Sequence, residues 1–213
     1  MSGILRAGQY LRNLACMTAN PLSPHRKAFI AALIITLVTL AILFAMDRPP
    51  ICTCGYVSLW YGDINASGNS QHLSDWYTPS HIIHGMIFYA LGWLLFTKWG
   101  LGGKSAGKWS FTLAVAIEAA WEIVENTPLV IDRYRSVTVN WGYSGDSIIN
   151  SMADIGWMSL GFYLALKLPV KVTVALAIIM EIVAALVVRD NLTLNVVMLI
   201  YPFEFIREWQ ALG

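Results

Sequence analysis

The chain has 213 residues, of which 57% are hydrophobic and only 13% charged, with a formal net charge of +1. A soluble domain of this length carries roughly 25% charge, so the composition excludes an ordinary soluble protein and implies an integral membrane one. No basic patch accompanies the near-neutral balance, which sets nucleic acid aside as a partner.

Residues 1–27 read as a cytoplasmic N-terminal segment. Ile4, Leu5, Leu11 and Leu14 recur at near-helical spacing around Arg6 and Arg12, the pattern of a short helix lying on a membrane surface. Residues 28–213 read as a single membrane-embedded helical domain. Its first run, 28–46, is uncharged and close to the roughly 20 residues needed to cross a bilayer. Asp47-Arg48-Pro49-Pro50 follows and offers no small-residue cleavage site, so the run is not a signal peptide. In the next loop, Cys52 and Cys54 read as a disulfide ahead of a redox or metal pair. His72 and Asp75 read as loop hydrogen-bonding groups ahead of a cap over a site, and Trp60, Trp76 and Tyr77 as interfacial anchors.

Further spans are expected at 82–97, 111–124, 148–166 and 172–188. Residues 128–145 read as a loop whose 137–141 portion alternates like a short strand. The segment 192–206 is apolar but short and contains Asn195, Pro202 and Glu204. It reads either as a sixth crossing or as a re-entrant segment broken at Pro202. The fold class is therefore all-α, a polytopic membrane helix bundle of five or six transmembrane helices.

Orientation follows from the basic residues. With a cytoplasmic N-terminus, the inner segments hold Arg6, Arg12, Arg26, Lys27, Lys98, Lys104, Lys108, Lys167 and Lys171. The outer loops hold Arg48, Arg133, Arg135 and Arg189. The excess on the inner side predicts a multi-pass inner-membrane protein in that topology.

Ionisable groups inside apolar spans cost several kcal/mol unless paired, hydrated or metal-bound, and so mark candidate sites. His81 and His84 are three residues apart, Glu118 and Glu122 four apart, and Asp146, Asn150 and Asp154 four apart in series. Each set is expected on one helical face. The topology places all of them, with Glu125 and Glu181, in the outer half of the membrane. Histidines with carboxylates suit a divalent transition metal, and His81, His84, Glu122 and Glu125 are the candidate ligands. His84, Glu122, Asp146 and Asp154 are the candidate acid–base or catalytic groups. Arg133, Arg135 and Asn150 are candidates for holding a phosphate or lipid headgroup, with salt bridges from the arginines to Asp146 or Glu125 as the alternative. A pocket that binds or modifies an envelope lipid is the expected function. The competing class is a non-enzymatic structural or assembly component whose polar core fixes helix packing.

Ser80-His-Ile-Ile-His84-Gly, Glu118-Ala-Ala-Trp-Glu122-Ile-Val-Glu125-Asn-Thr-Pro128, Gly145-Asp-Ser-Ile-Ile-Asn150-Ser-Met-Ala-Asp154 and Arg189-Asp-Asn-Leu-Thr-Leu-Asn195 resemble an uncharacterised alphaproteobacterial multi-pass membrane family. That resemblance implies a cell-membrane location and no mechanism. A more distant likeness is to VanZ-like membrane proteins, whose pattern His84, Glu122 with Glu125, Arg133 or Arg135, and Asp146 with Asn150 fill; it implies an outer-leaflet or cell-wall context. Asp132-Arg133 and Asn150-Ser-Met-Ala-Asp154 are partly similar to the paired-aspartate motifs of lipoprotein signal peptidases, which would imply an intramembrane aspartyl peptidase. The asparagine spacing departs from those motifs at both places.

Overall fold

Ser23 and Pro24 open the first helix. The serine hydroxyl accepts the Arg26 N–H at 3.4 Å, and proline sits in the first turn, where its missing N–H has no helical partner to lose. A computed structural model describes residues 22–103, 105–137 and 143–212. Among the described residues there are eight α-helices. They are α1 (Pro24–Ala45), α2 (Thr78–Gly92), α3 (Ser110–Glu125), α4 (Pro128–Val137), α5 (Ile148–Lys167), α6 (Val170–Val188), α7 (Leu192–Ile200) and α8 (Glu204–Ala211). A π-helical turn over Trp93–Lys98 extends α2, and a 3₁₀ turn over Ala106–Trp109 leads into α3. The expected surface helix before residue 22 and the strand-like stretch at 138–141 lie outside the described residues.

Three helices are long and apolar enough to cross a membrane: Pro24–Ala45, Thr78–Lys98 and Val170–Val188. They point to a membrane protein. Away from their charged ends the exposed faces are largely apolar, with Phe29, Leu33, Ile34, Leu37 and Val38 on α1 and Ile178, Ile179, Ile182 and Val183 on α6. The other two expected spans also form helices. However, α3 has 16 residues and α5, at 20, carries the polar stripe. Residues 128–137, expected as loop, begin a helix at Pro128 instead. The last segment breaks at Tyr201–Phe203, around Pro202. Its first piece, α7, has nine residues and reaches roughly 14 Å, well short of a hydrocarbon core.

The bundle centres on α2, which packs against α3, α5 and α6, while α1 packs on α3 and α5. Small residues allow the close approaches. Thr112 on α3 donates its hydroxyl to the Ala28 carbonyl of α1 at 2.8 Å. Between α2 and α5 the backbones touch at glycines: a Cβ on Gly85 would overlap the Met158 carbonyl oxygen, and one on Gly161 the Ile82 carbonyl oxygen. The apolar core is Ala32, Ala114, Val115, Ala119, Ile155, Met158 and Phe162.

One end of the bundle is closed by the segment between α1 and α2. It carries a Cys52–Cys54 disulfide, as the sequence leads one to expect. The Ser147, Ile148 and Ile149 N–H groups, which no helical carbonyl can satisfy, donate to the carbonyls of Ser70, Pro49 and Pro50. Ser147 caps α5 through its hydroxyl, which accepts the Asn150 N–H.

Candidate functional site

The first turns of α2, the last turns of α3 and the start of α5 meet at that closed end, which is why residues distant in sequence form one cluster. Glu118 lies at its floor with no exposed surface. It accepts from His81 Nδ1 at 2.6 Å and from His84 Nδ1 at 3.0 Å. A carboxylate that accepts from both rings makes each Nδ1 the protonated nitrogen, leaving Nε2 with a lone pair. His81 Nε2 then faces Asp154 Oδ2 at 3.7 Å. The two histidines are accordingly oriented by Glu118, the arrangement that fixes ligand histidines in metal sites.

Glu122, one turn along α3, is wholly buried, and neither of its carboxylate oxygens has a hydrogen-bond partner. Its nearest cation-forming group is His81 Nδ1, 3.6 Å away. Two donor sets share it. One ligand atom each from His81, Glu122 and Asp154 lie within 4.8 Å of one another, and so do one each from Glu122, Glu125 and Asp146. Asp146 is not on the α5 face where the four-residue spacing suggested it would be. It precedes the helix, just ahead of the Ser147 cap. There its carboxylate accepts from Tyr143 Oη and Asn126 Nδ2, both at 3.0 Å. Arg48 clamps the same turn, donating to the Asp146 carbonyl at 2.9 and 3.0 Å and to that of Ser144 at 2.8 Å.

Above these groups lies a cavity of about 180 Å³, walled by His81, His84, Glu125, Asp146, Asn150 and Asp154, with Leu192, Val196 and Leu199 of α7 forming an apolar side. Sequence reasoning missed Asn126, Tyr143, Asp190 and Asn195. Asn126 follows α3 and looks like an ordinary helix end. Asp190 and Asn195 belong to the terminal segment, which the sequence gives no reason to fold back on α2.

Other expectations resolve differently. Arg133 donates to the Leu199 carbonyl at 3.1 and 3.2 Å, and Arg135 to that of Tyr143 at 2.6 Å. Neither pairs with a carboxylate, and among the described residues no arginine or lysine lines the cavity. Both fasten neighbouring backbone to α4. Glu181 is not part of the cavity wall and accepts the Leu192 and Thr193 N–H groups at the start of α7. Tyr77 is not an interfacial anchor alone, since its hydroxyl donates to Asp190 at 3.1 Å. His72 and Asp75 behave as loop groups. His72 Nδ1 accepts the Ser58 N–H, and Asp75 accepts those of Ser70 and Tyr77, although Asp75 also reaches the cavity wall. Asn150 donates to the His72 carbonyl at 2.8 Å, holding this loop over the cavity. Asp132 is exposed and absent from the wall, so it forms no aspartate pair with Asp154.

Burial raises the pKa of three aspartates outside the long helices, Asp75, Asp146 and Asp190. Burial pushes Asp146 up to about 6 against the Tyr143 and Asn126 bonds that pull it down. Burial pushes Asp190 up to about 7, opposed by the Asn191 N–H and the Tyr77 hydroxyl. In the unfolded chain an aspartate titrates near about 3.9. Between those values the folded chain keeps a proton on Asp190 that the unfolded chain has lost, so stability falls as pH rises through that window. The melting temperature is expected to drop between about pH 4 and about pH 7, and Asp190→Asn to remove part of that slope. An unchanged slope in the variant would mean that Asp190 is not the group responsible.

No solved structure matches the chain. Residues 43–212 match the family model described as a protein of unknown function, DUF2585. A UPF0314 protein of Novosphingobium aromaticivorans is 50% identical over 192 residues, covering 90% of this chain and 96% of the relative. One from Rhizobium etli is 52% identical over 183 residues, covering 86% and 91%. One from Paracoccus denitrificans is 49% identical over 179 residues, covering 84% and 89%. With a family model matching most of its length and relatives near half identity, the chain belongs to the DUF2585 (UPF0314) family, whose function is unknown.

Proposed function

We propose that this is a polytopic inner-membrane protein, N-terminus cytoplasmic, whose outward-opening pocket holds a divalent transition metal and through it the headgroup of an envelope lipid. The observation that carries the reading is Glu122, a fully buried carboxylate without a hydrogen-bond donor, set among His81, Asp154, Glu125 and Asp146. A buried carboxylate of this kind is costly to ionise unless a cation completes it. His81, Asp154 and Glu122 supply nitrogen and oxygen donors suited to zinc, manganese or iron. Lys98, Lys108, Lys167 and Lys171 sit at the helix ends remote from the cluster, which supports an outward pocket. In this reading α3 and α5 also span the membrane, giving five crossings, with α7 packed against protein. The apolar side formed by Leu192, Val196 and Leu199 supports a lipid as the molecule admitted. Because Arg133 and Arg135 are engaged with carbonyls, an anionic headgroup would be held by the metal and not by a guanidinium.

The test is elemental analysis of the detergent-purified protein beside His81→Ala, with thermal melting as the control for folding. Stoichiometric transition metal in the wild type, with lower content in a folded variant, is the expected result. A well-folded wild type that stays metal-free when offered zinc, manganese and iron would leave the cluster as a packing device.

A further inference from the structure

The donor set around Glu122 is larger than one ion requires. His81, Glu122 and Asp154 form one group of mutually close ligand atoms, and Glu122, Glu125 and Asp146 form another. Glu122 belongs to both, and both of its oxygens lack hydrogen-bond partners. Carboxylate and imidazole donors stand about 2.0–2.2 Å from a bound metal, which allows donor–donor separations up to about 4.4 Å across an ion. Donor atoms within 4.8 Å of one another therefore need only a small contraction to form a coordination shell.

Resting on the metal reading above, we propose that the pocket holds two divalent cations bridged by the Glu122 carboxylate, one oxygen to each. The inner ion takes His81, Asp154 and Glu122. The outer ion takes Glu125, Asp146 and Glu122.

The surroundings of each ligand fit this assignment. Glu118 holds His81 Nδ1 at 2.6 Å, which leaves the lone pair on Nε2, 3.7 Å from Asp154 Oδ2. Asp146 is aimed by Tyr143 and Asn126, whose bonds leave each of its oxygens a further lone pair. Asn126 also donates to the Glu122 carbonyl at 2.9 Å, tying the last turn of α3 to the aspartate that would share an ion with it. The two sites differ in kind. The inner one includes a nitrogen and accepts zinc or iron. The outer one is all oxygen and open to the cavity through Glu125 and Asp146, which suits a harder ion such as manganese or magnesium. Two bound dications would offset the charge of carboxylates crowded where no arginine or lysine lines the wall.

Chelator-treated, full-length protein in detergent is titrated with Mn²⁺ alone. Bound ions are counted by equilibrium dialysis and examined by electron paramagnetic resonance. The expected result is two ions per chain with an exchange-coupled signal. Glu125→Gln and Asp146→Asn should each reduce this to one ion with an uncoupled signal, and Glu122→Gln should abolish binding. His81→Ala should retain the outer ion only. Melting curves identify any variant that fails to fold, and the several single substitutions keep the count decisive if one does. One ion in the wild type overturns the bridged pair and leaves the metal reading standing. Two ions with no coupling overturn the Glu122 bridge. No ion at all overturns both.

Discussion

Glu122→Gln is expected to strip metal from the pocket and, in the same molecule, to raise the melting temperature of the metal-free protein. Both effects follow from one fact: the wild-type carboxylate is fully buried with no hydrogen-bond donor on either oxygen. Leaving a buried polar group unsatisfied costs about 1–3 kcal/mol, more when charged. The isosteric amide carries no charge and brings an NH₂ that can donate to neighbouring carboxylates such as Asp154 or Asp146. A gain of about 1–3 kcal/mol would appear as a rise of several degrees in a chain of this size. Metal content and chelator-treated melting curves, measured on both proteins, check the pair of outcomes. A variant that melts lower and keeps its metal would show Glu122 to be a packing residue.

Gly85→Val and Gly161→Val are expected to be the most damaging single changes in the bundle. At each position the new Cβ would occupy the place of a carbonyl oxygen on the opposite helix. A flexible side chain can rotate away from such an overlap, but backbone cannot without moving its helix. Overpacking typically costs 1–3 kcal/mol, and here about 3 kcal/mol or more is expected because two helix axes must separate. The site should fail with the fold, since α2 carries His81 and His84 while α5 carries Asn150 and Asp154. Gly156→Ala is the control. It lies in α5 with no atom within 4 Å of the added Cβ, and should be neutral or stabilising by up to about 1 kcal/mol. Size-exclusion profiles and melting curves of the three variants distinguish the cases. Equal behaviour of all three would mean that the α2–α5 approach is looser than described.

Much of this organisation is legible in the sequence, and the exceptions have physical reasons. Hydropathy marks α1, α2 and α6 most clearly, because each holds a long apolar run, whereas α5 interrupts its own with the polar stripe. It does not mark α4, where Asp132, Arg133 and Arg135 make a short helix look like loop. Helical spacing joins His81 to His84 and Glu118 to Glu122, and the fold brings those pairs together. The same rule misplaces Asp146, since spacing cannot tell whether a residue lies inside a helix or just ahead of its cap. Arg133 and Arg135 show a further limit. A cation near acidic residues in sequence has backbone carbonyls to choose from as well, and both arginines take them. Glu181 binds the start of α7 and not the cluster, a choice that the apolar α6 pattern around it leaves undetermined.

The loop that covers the pocket bears on how the chain is made. Its Gln71 and Leu73 carbonyls accept from Ser147 Oγ and Trp157 Nε1, partners 76 and 84 residues later in synthesis, and Asn150 reaches the His72 carbonyl across 78. Until α5 is synthesised, those loop carbonyls lack these partners. The pocket therefore cannot be completed before α5 is made, and a nascent chain stalled ahead of it carries α2 and α3 with their histidines and glutamates but lacks Asn150 and Asp154.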